Sequence, residues 1–313
     1  MGAAIQSALG QSLPVSEILV VDDASTDETA SVLGEWESKD ARVRVHRQSS
    51  NQGIARNVDW AMRNATGDLI VRLDSDDELD ARAIERLSDA LMAYPAAGYA
   101  HGAIVEVDAD DNFRRLRSLA RGPYHESEAA LRATLRGYRV AANLIMFRRN
   151  ALQRAGYISS NRNFAEDYYL SVRIADVGFG NVYIPDVVGR YRVWTDDGGV
   201  RASRKVEEIE GLIEVFDNAI GPAFRKREWG QGGVARARSR LASNHAAAID
   251  RIDDSGEREV LQEALLRLSS SARVRLTLAA RRRGVGHALD RLKSFNRRGR
   301  DSVKSALRRA RII

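Results

Sequence analysis

Leu69-Ile70-Val71-Arg72-Leu73-Asp74-Ser75-Asp76-Asp77 decides the reading of this chain. The run at 69–73 predicts a short buried strand. Three carboxylates follow it directly. Carboxylates at the end of a buried strand repel one another and lose solvation unless a cation or another partner answers them. Hard divalent cations such as Mg²⁺ take oxygen ligands and commonly share one or two carboxylates with substrate phosphates. The functional reading is therefore a metal–phosphate site. The competing reading is a solvated turn whose Ser75, Asp76 and Asp77 cap a helix starting near Asp80.

The strand at 69–73 is one of several in alternation with helices. Glu17-Ile18-Leu19-Val20-Val21 predicts a strand, and Asp22-Asp23-Ala24-Ser25-Thr26-Asp27-Glu28 follows it. Ser25 with Glu28 fits a capping box, which predicts a helix from about Thr26 to Ser38. Strands are predicted at 43–46 and about 99–107, and helices at about 53–64 and 80–93. This order implies an α/β domain with three layers and a mostly parallel sheet. Ligands of such sheets sit beyond the carboxyl ends of the strands. Asp22-Asp23 and Asp74 to Asp77 both lie at such ends.

Further along, 144–147 reads as a strand, and Phe164 to Leu170 opens a helix reaching about Asp176. Segments 181–184 and 187–193 read as strands. From about Val200 strand signals stop. Residues 204–219 and 234–281 read as helical, divided by Gly221-Pro222 and Gly230 to Gly233. The expected organisation is a catalytic domain at 1–200, a helical region at 201–283 and a basic tail at 284–313.

Composition narrows the classes. With 313 residues, two domains or one large domain with an extension are expected. The chain has no cysteine, which removes disulfides, thiolate zinc sites and a cysteine nucleophile and fits a reducing compartment. No apolar run approaches the roughly 20 residues of a membrane-spanning helix. Met1 to Pro14 lacks the basic start and apolar core of a signal peptide. The net charge of +6 is uneven: residues 273–313 hold fourteen Arg or Lys and only Asp290 and Asp301 as acids, so the body is mildly acidic and the tail strongly basic.

A third acidic pair, Glu166-Asp167, completes a pattern. The ordered set Ala4-Ile5-Gln6-Ser7-Ala8-Leu9-Gly10-Gln11, Val20-Val21-Asp22-Asp23-Ala24-Ser25-Thr26-Asp27, Asn51-x-Gly53, Ala65-Thr66-Gly67-Asp68, Leu73-Asp74-Ser75-Asp76-Asp77 and Glu166-Asp167 resembles family 2 glycosyltransferases of the GT-A fold. The resemblance covers about residues 4–194. Each fragment is weak alone; their order is specific.

The resemblance implies roles. Asp22 and Asp23 would face the base and ribose of a nucleotide-sugar donor, since carboxylates accept from ring N–H and hydroxyl groups. The alternative is an acidic helix-capping turn. Asp74 would lie near the ribose, and Asp76, with Asp74, would hold Mg²⁺ or Mn²⁺ on the diphosphate. Asp77 would be a structural cap. Asp167 would be the general base that takes the acceptor hydroxyl's proton, with Glu166 as substitute or orienting group. The alternative places both acids in a helix's first turn, where the dipole favours them.

Three departures accompany the resemblance. Family members usually begin with a strand and a Pro-Thr-Tyr-Asn-like loop, whereas this sequence opens at the helix that follows; a misplaced start is expected, with an apolar strand encoded upstream. Arg56-Asn57 comes about two residues before the family's usual Arg-Asn, and Asp59 stands where that Asn is expected, so Arg56 receives no role. Tyr191-Arg192-Val193-Trp194 resembles a Tyr-Arg-x-His segment with Trp194 replacing the His. A metal ligand is then lost unless Asp196 or Asp197 substitutes, and Trp194 either stacks on a sugar ring or packs.

Other readings fit less. A phosphoacceptor receiver domain would also put acids at two strand ends, but no Lys ends a late strand and Glu166-Asp167 stays unexplained. The five histidines are scattered. In the tail, Leu289, Leu292, Phe295, Val303, Leu307 and Ala310 form an interrupted apolar stripe among arginines. This suggests docking on an anionic membrane surface, against a solvated tail as the alternative; Phe295 is the lone aromatic, which disfavours nucleic acid as a partner. The expected function is metal-dependent, inverting transfer of a sugar from a nucleotide-diphosphate-sugar to a saccharide or lipid-linked acceptor hydroxyl, in the cytoplasm or peripherally at the inner membrane face. A catalytically impaired binding or scaffold protein on the same fold is the alternative.

Overall fold

The computed structural model describes residues 1–137, 143–158, 164–193, 200–252 and 254–286. Trp194, and the apolar stripe of the tail from Leu289 onward, lie outside the described residues. The chain divides into two compact units, residues 1–198 with 211–234 and residues 199–210 with 235–313.

The first unit opens with α1 (Gly2–Leu9), β1 (Ile18–Asp22), α2 (Thr29–Lys39), β2 (Val43–Arg47), α3 (Ile54–Asn64) and β3 (Leu69–Arg72). It continues through β4 (Glu78–Leu79), α4 (Ala83–Ala93), β5 (Ala97–Val107), β6 (Phe113–Arg117), β7 (Tyr124–His125) and α5 (Ser127–Thr134). Then come β8 (Ile145–Arg148), α6 (Arg149–Ala155), α7 (Glu166–Asp176) and β9 (Gly180–Arg192). The chain stays helical through α8 (Val200–Glu214), a π segment (Val215–Ile220) and α9 (Gly221–Lys226), so Gly221-Pro222 does not divide it. Pro222 stands in the first turn of α9, directly after the π segment.

The α/β class expected from the alternation holds. β1 and β2 pair in parallel as a two-stranded sheet. A seven-stranded sheet runs β3-β8-β5-β9-β4, with β6 on β5 and β7 on β9. Its longest pairing, β5 with β9, is parallel and runs from Ala97 opposite Gly180 to Val107 opposite Arg192. Shorter antiparallel pairings of β3, β4, β6, β7 and β8 complete it.

Alternation along the strands creates the layers. Successive strand residues point to opposite faces. Ala100, Ile104 and Met146 pack with Leu87 and Leu91 of α4 on one face. Tyr99, Ile145 and Phe147 pack with Leu152 of α6 and Leu170 and Ile174 of α7 on the other. Covered on both sides, β5 reads as a nearly unbroken buried run. Gly98 is needed there: an added Cβ would lie 2.7 Å from Ile174 Cγ2. The segments 181–184 and 187–193 form the single strand β9, because a register shift opposite Gly102 and Ala103 absorbs Pro185-Asp186.

Local polar chemistry moved one helix start. The Ser25–Glu28 capping box does not form, and α2 begins at Thr29. The Ser25 amide donates instead to Asp22 Oδ1 at 3.0 Å, and the Thr29 amide to Asp27 Oδ1 at 3.0 Å. Ser7 and Gln11 are structural: Ser7 Oγ accepts the Leu79 amide (3.1 Å), and Gln11 Oε1 accepts the Ile84 amide (3.0 Å).

The second unit contains α10 (Gly232–His245, from Ala235), a 3-10 segment (Ala246–Arg251), α11 (Ser255–Leu268) and α12 (Ala272–Arg282). Asp254 and Ser271 cap the last two helices by accepting the Glu257 and Val274 amides. Among the described residues no helix is long and apolar enough to cross a membrane.

Candidate active site

The residue that organises the acidic site is Arg72, the charged interruption in the apolar run that forms β3. Its side chain is 6% exposed. Nε donates to Asp74 Oδ1 and Nη1 to Glu166 Oε1, both at 3.0 Å. Glu166 and Asp167 occupy the first turn of α7, which Ala165 enters with a left-handed φ of 64°. One guanidinium thus joins the end of β3 to the start of α7, 94 residues further along.

Burial alone would lower the Arg72 pKa; the charges of Asp74, Glu166 and Asp167 outweigh it and hold the guanidinium charged. Burial pushes Glu166 up, opposed by Arg72 and reinforced by the Asp167 charge. Burial likewise pushes Asp167 up against Arg72, with Asp74 adding to the rise. Among the described residues Arg72 is the cation these three carboxylates face, and burial leaves Glu166 and Asp167 more basic than solvated carboxylates.

The turn after β3 is closed by the Asp77 amide donating to the Asp74 carbonyl at 3.1 Å. Asp77 is buried, and it is not a helix cap. Its Oδ1 accepts the Arg192 amide of β9 at 2.7 Å, while among the described residues Oδ2 has no hydrogen-bond partner. Burial, aided by the charges of Asp76 and Asp74 and opposed by the Arg192 amide, pushes its carboxyl up to about 7. The Arg192 guanidinium donates to the Asp76 carbonyl (3.2 Å), the Asp108 carbonyl (3.0 Å) and Asp111 Oδ1 (2.6 Å). Arg192 therefore holds the turn at two points, its main-chain amide on the Asp77 carboxylate and its guanidinium on the Asp76 carbonyl.

Asp22 and Asp23 form a second cluster at the end of β1. Asp22 is buried; Arg47 Nε lies 3.4 Å from its Oδ2. Asp23 accepts the Gln52 amide on Oδ1 (2.6 Å) and the Gly53 amide on Oδ2 (3.0 Å). Burial would raise its pKa, but these amides and the Asn57 side chain lower it below the usual range. Gly53 has φ 82°, which only glycine adopts without strain. Asn51-Gln52-Gly53 is thus the loop that Asp23 staples to β1.

Sequence reasoning identified Asp74, Glu166 and Asp167 separately, and the structure brings them together. It missed Arg72 and the clamp at Arg192; the signal available was a lone charge inside an apolar strand. Among the described residues, no group of three or more His, Cys, Asp or Glu is arranged to hold a metal by itself. The turn does fit a cation that takes only part of its shell from protein. Asp74 and Asp76 would supply hard carboxylate oxygens, and their charges, which add to the burial that raises Asp77, are what a divalent ion would offset.

This α/β scaffold, with acids at the ends of β1 and β3 and at the start of α7, is that of the GT-A glycosyltransferases. Residues 1–156 match the sequence model of glycosyl transferase family 2, and the chain belongs to that family. It is 39% identical over 85 residues to chondroitin synthase of Escherichia coli (27% of this chain, 12% of that protein). It is 35% identical over 99 residues to the GalNAc(5)-diNAcBac-PP-undecaprenol beta-1,3-glucosyltransferase of Campylobacter jejuni (31% of each chain). These matches span less than half the length of either relative. The S. aureus TarS 1-349 structure in complex with UDP-GlcNAc superposes with a TM-score of 0.58 at 16% identity, over 90% of this chain and 87% of that one. The mannosyltransferase PcManGT of Pyrobaculum calidifontis, in complex with GDP-Man and Mn²⁺, gives 0.52 at 21% identity, over 92% and 81%.

Proposed function

We propose that this chain transfers a sugar, with inversion, from a nucleotide-diphosphate-sugar to an acceptor hydroxyl. The observation that carries the reading is the Arg72 bridge, which sets Asp74 beside Glu166-Asp167. Asp167 takes the acceptor hydroxyl's proton as that oxygen attacks the anomeric carbon and the bond to the diphosphate breaks on the opposite face. A carboxylate raised toward working pH by burial is a better base than a solvated one. Glu166, held by Arg72, orients the α7 terminus rather than reacting.

Asp76, with Asp74, would hold Mg²⁺ or Mn²⁺, and that ion would supply charge stabilisation to the departing diphosphate. The PcManGT complex with GDP-Man and Mn²⁺ supports a donor–metal arrangement on this fold. Asp22, at the end of β1, and the loop that Asp23 staples face the nucleotide of the donor; the UDP-GlcNAc complex of TarS supports a nucleotide-sugar donor for this fold.

The acceptor is a saccharide or lipid-linked glycan of cell-envelope polysaccharide synthesis, with work at the inner membrane face; the polyprenyl-linked substrate in the C. jejuni relative's name supports this class. The test is a screen of nucleotide sugars with Mn²⁺ for thermal stabilisation and turnover. Turnover should vanish in Asp76→Asn and Asp167→Asn; full activity in both variants overturns the assignment.

A further inference from the structure

The second unit carries a cavity of its own, of about 520 Å³, among residues 249–286. At its base Arg281, 6% exposed, pairs through Nη1 with Asp250 Oδ2. Gly286 lets the backbone close on that pair, since an added Cβ would lie 2.8 Å from Arg281 Cγ.

Two further arginines line the walls. Arg258 donates from Nε to the Ile252 carbonyl at 2.5 Å, and Arg282 from Nε to Gln262 Oε1 at 2.6 Å. Each guanidinium is therefore anchored through its inner nitrogen. Among the described residues no acceptor is bonded to the Nη groups of either one. The lining holds three arginines against Asp250 and Glu259, and Asp250 is taken up by Arg281.

We propose that this cavity binds a phosphorylated polar molecule, its phosphate held by the Nη groups of Arg258 and Arg282. Guanidinium forks match phosphate oxygens two at a time, and forks oriented in advance lose little freedom on binding. Ser255 and Gln262 add neutral polar partners on the wall. The volume exceeds that of a bare phosphate and is in the range of small-molecule sites, which leaves space for an attached polar group. A soluble phosphate ester and a phospholipid headgroup share this chemistry. The site is separate from the donor site, since its lining contains none of the acids of the first unit.

The test uses the full chain in the presence of a metal chelator, with inorganic pyrophosphate as the titrant in calorimetry. Wild type is expected to bind it, R258Q/R282Q to bind about tenfold or more weakly, and Asp76→Asn to bind as wild type does. R258K/R282K keeps both charges but loses the forks. Its affinity is expected between those two, and it supplies the comparison if the glutamine pair does not fold. Flotation with phosphatidylglycerol vesicles separates the sources: binding lost in R258Q/R282Q assigns the phosphate to a headgroup, and its absence beside pyrophosphate binding assigns a soluble ester. No pyrophosphate binding by wild type, or wild-type affinity in either double variant, overturns the proposal.

Discussion

Arg72 Nη1 donates to Glu166 Oε1 at 3.0 Å, with both side chains 6% exposed and the two residues 94 positions apart in the chain. The same guanidinium reaches Asp74 at 3.0 Å, so removing it strips the cation from three acids at once. Arg72→Ala should destabilise the first unit by about 3–5 kcal/mol, because it leaves buried carboxylates uncompensated. Urea denaturation checks this, with a lower midpoint at unchanged slope expected.

Glu166 and Asp167 should separate by charge-neutral substitution. Glu166→Gln can still accept from Arg72, and its turnover should fall modestly. Asp167→Asn loses the proton acceptor, and kcat should fall about 10²–10⁴-fold with folding intact. The kcat/KM profile of wild type should carry an acid limb that Asp167→Asn abolishes. A surviving limb would move the base to another residue.

Asp77 gives a pH-dependent term in stability. Its folded pKa, about 7, lies above its unfolded value, so the folded state holds the proton more tightly. The stabilisation is complete below the unfolded pKa near 4 and is lost as pH rises through 7. In chelator, wild type should lose up to about 4 kcal/mol over that window, since each pKa unit is worth about 1.4 kcal/mol. Asp77→Asn can keep the bond from the Arg192 amide through its side-chain oxygen and should flatten the slope. An unchanged slope in Asp77→Asn would assign the effect elsewhere.

Asp23 should act through its loop. Asp23→Ala frees the Gln52 and Gly53 amides, so hydrogen exchange at both should accelerate while the rest of the unit keeps its protection. Gly53→Ala imposes φ 82° on a residue with a Cβ and should cost about 1–2 kcal/mol. If donor binding uses this loop, both variants should raise the donor KM more than they lower kcat.

Much of the fold was legible because its signals are local. An apolar run such as Ile18 to Val21, a loop and an amphipathic segment are read from neighbours in the chain. Their order specified an α/β domain, and β1, β2, β3 and α3 lie within a few residues of where the pattern places them. The α2 start was misread because Ser25 can serve either as a cap or as a donor to Asp22, and only the packed chain shows which bond wins. The division of β9 was misread because Pro185 breaks a strand unless a facing register shift absorbs it, and that shift lies in β5.

The acidic positions at 22–23, 74–77 and 166–167 are properties of the linear chain, and so is the family they mark. Which of them act together is not. Asp23 is spent on the Gln52 and Gly53 amides, Asp77 on β9, and Asp74 with Glu166 on Arg72. Proton affinity depends on burial and on charges brought close in space, neither of which is encoded by sequence spacing. That is why an arginine that reads as a blemish in a strand becomes, once folded, the cation that unites the site.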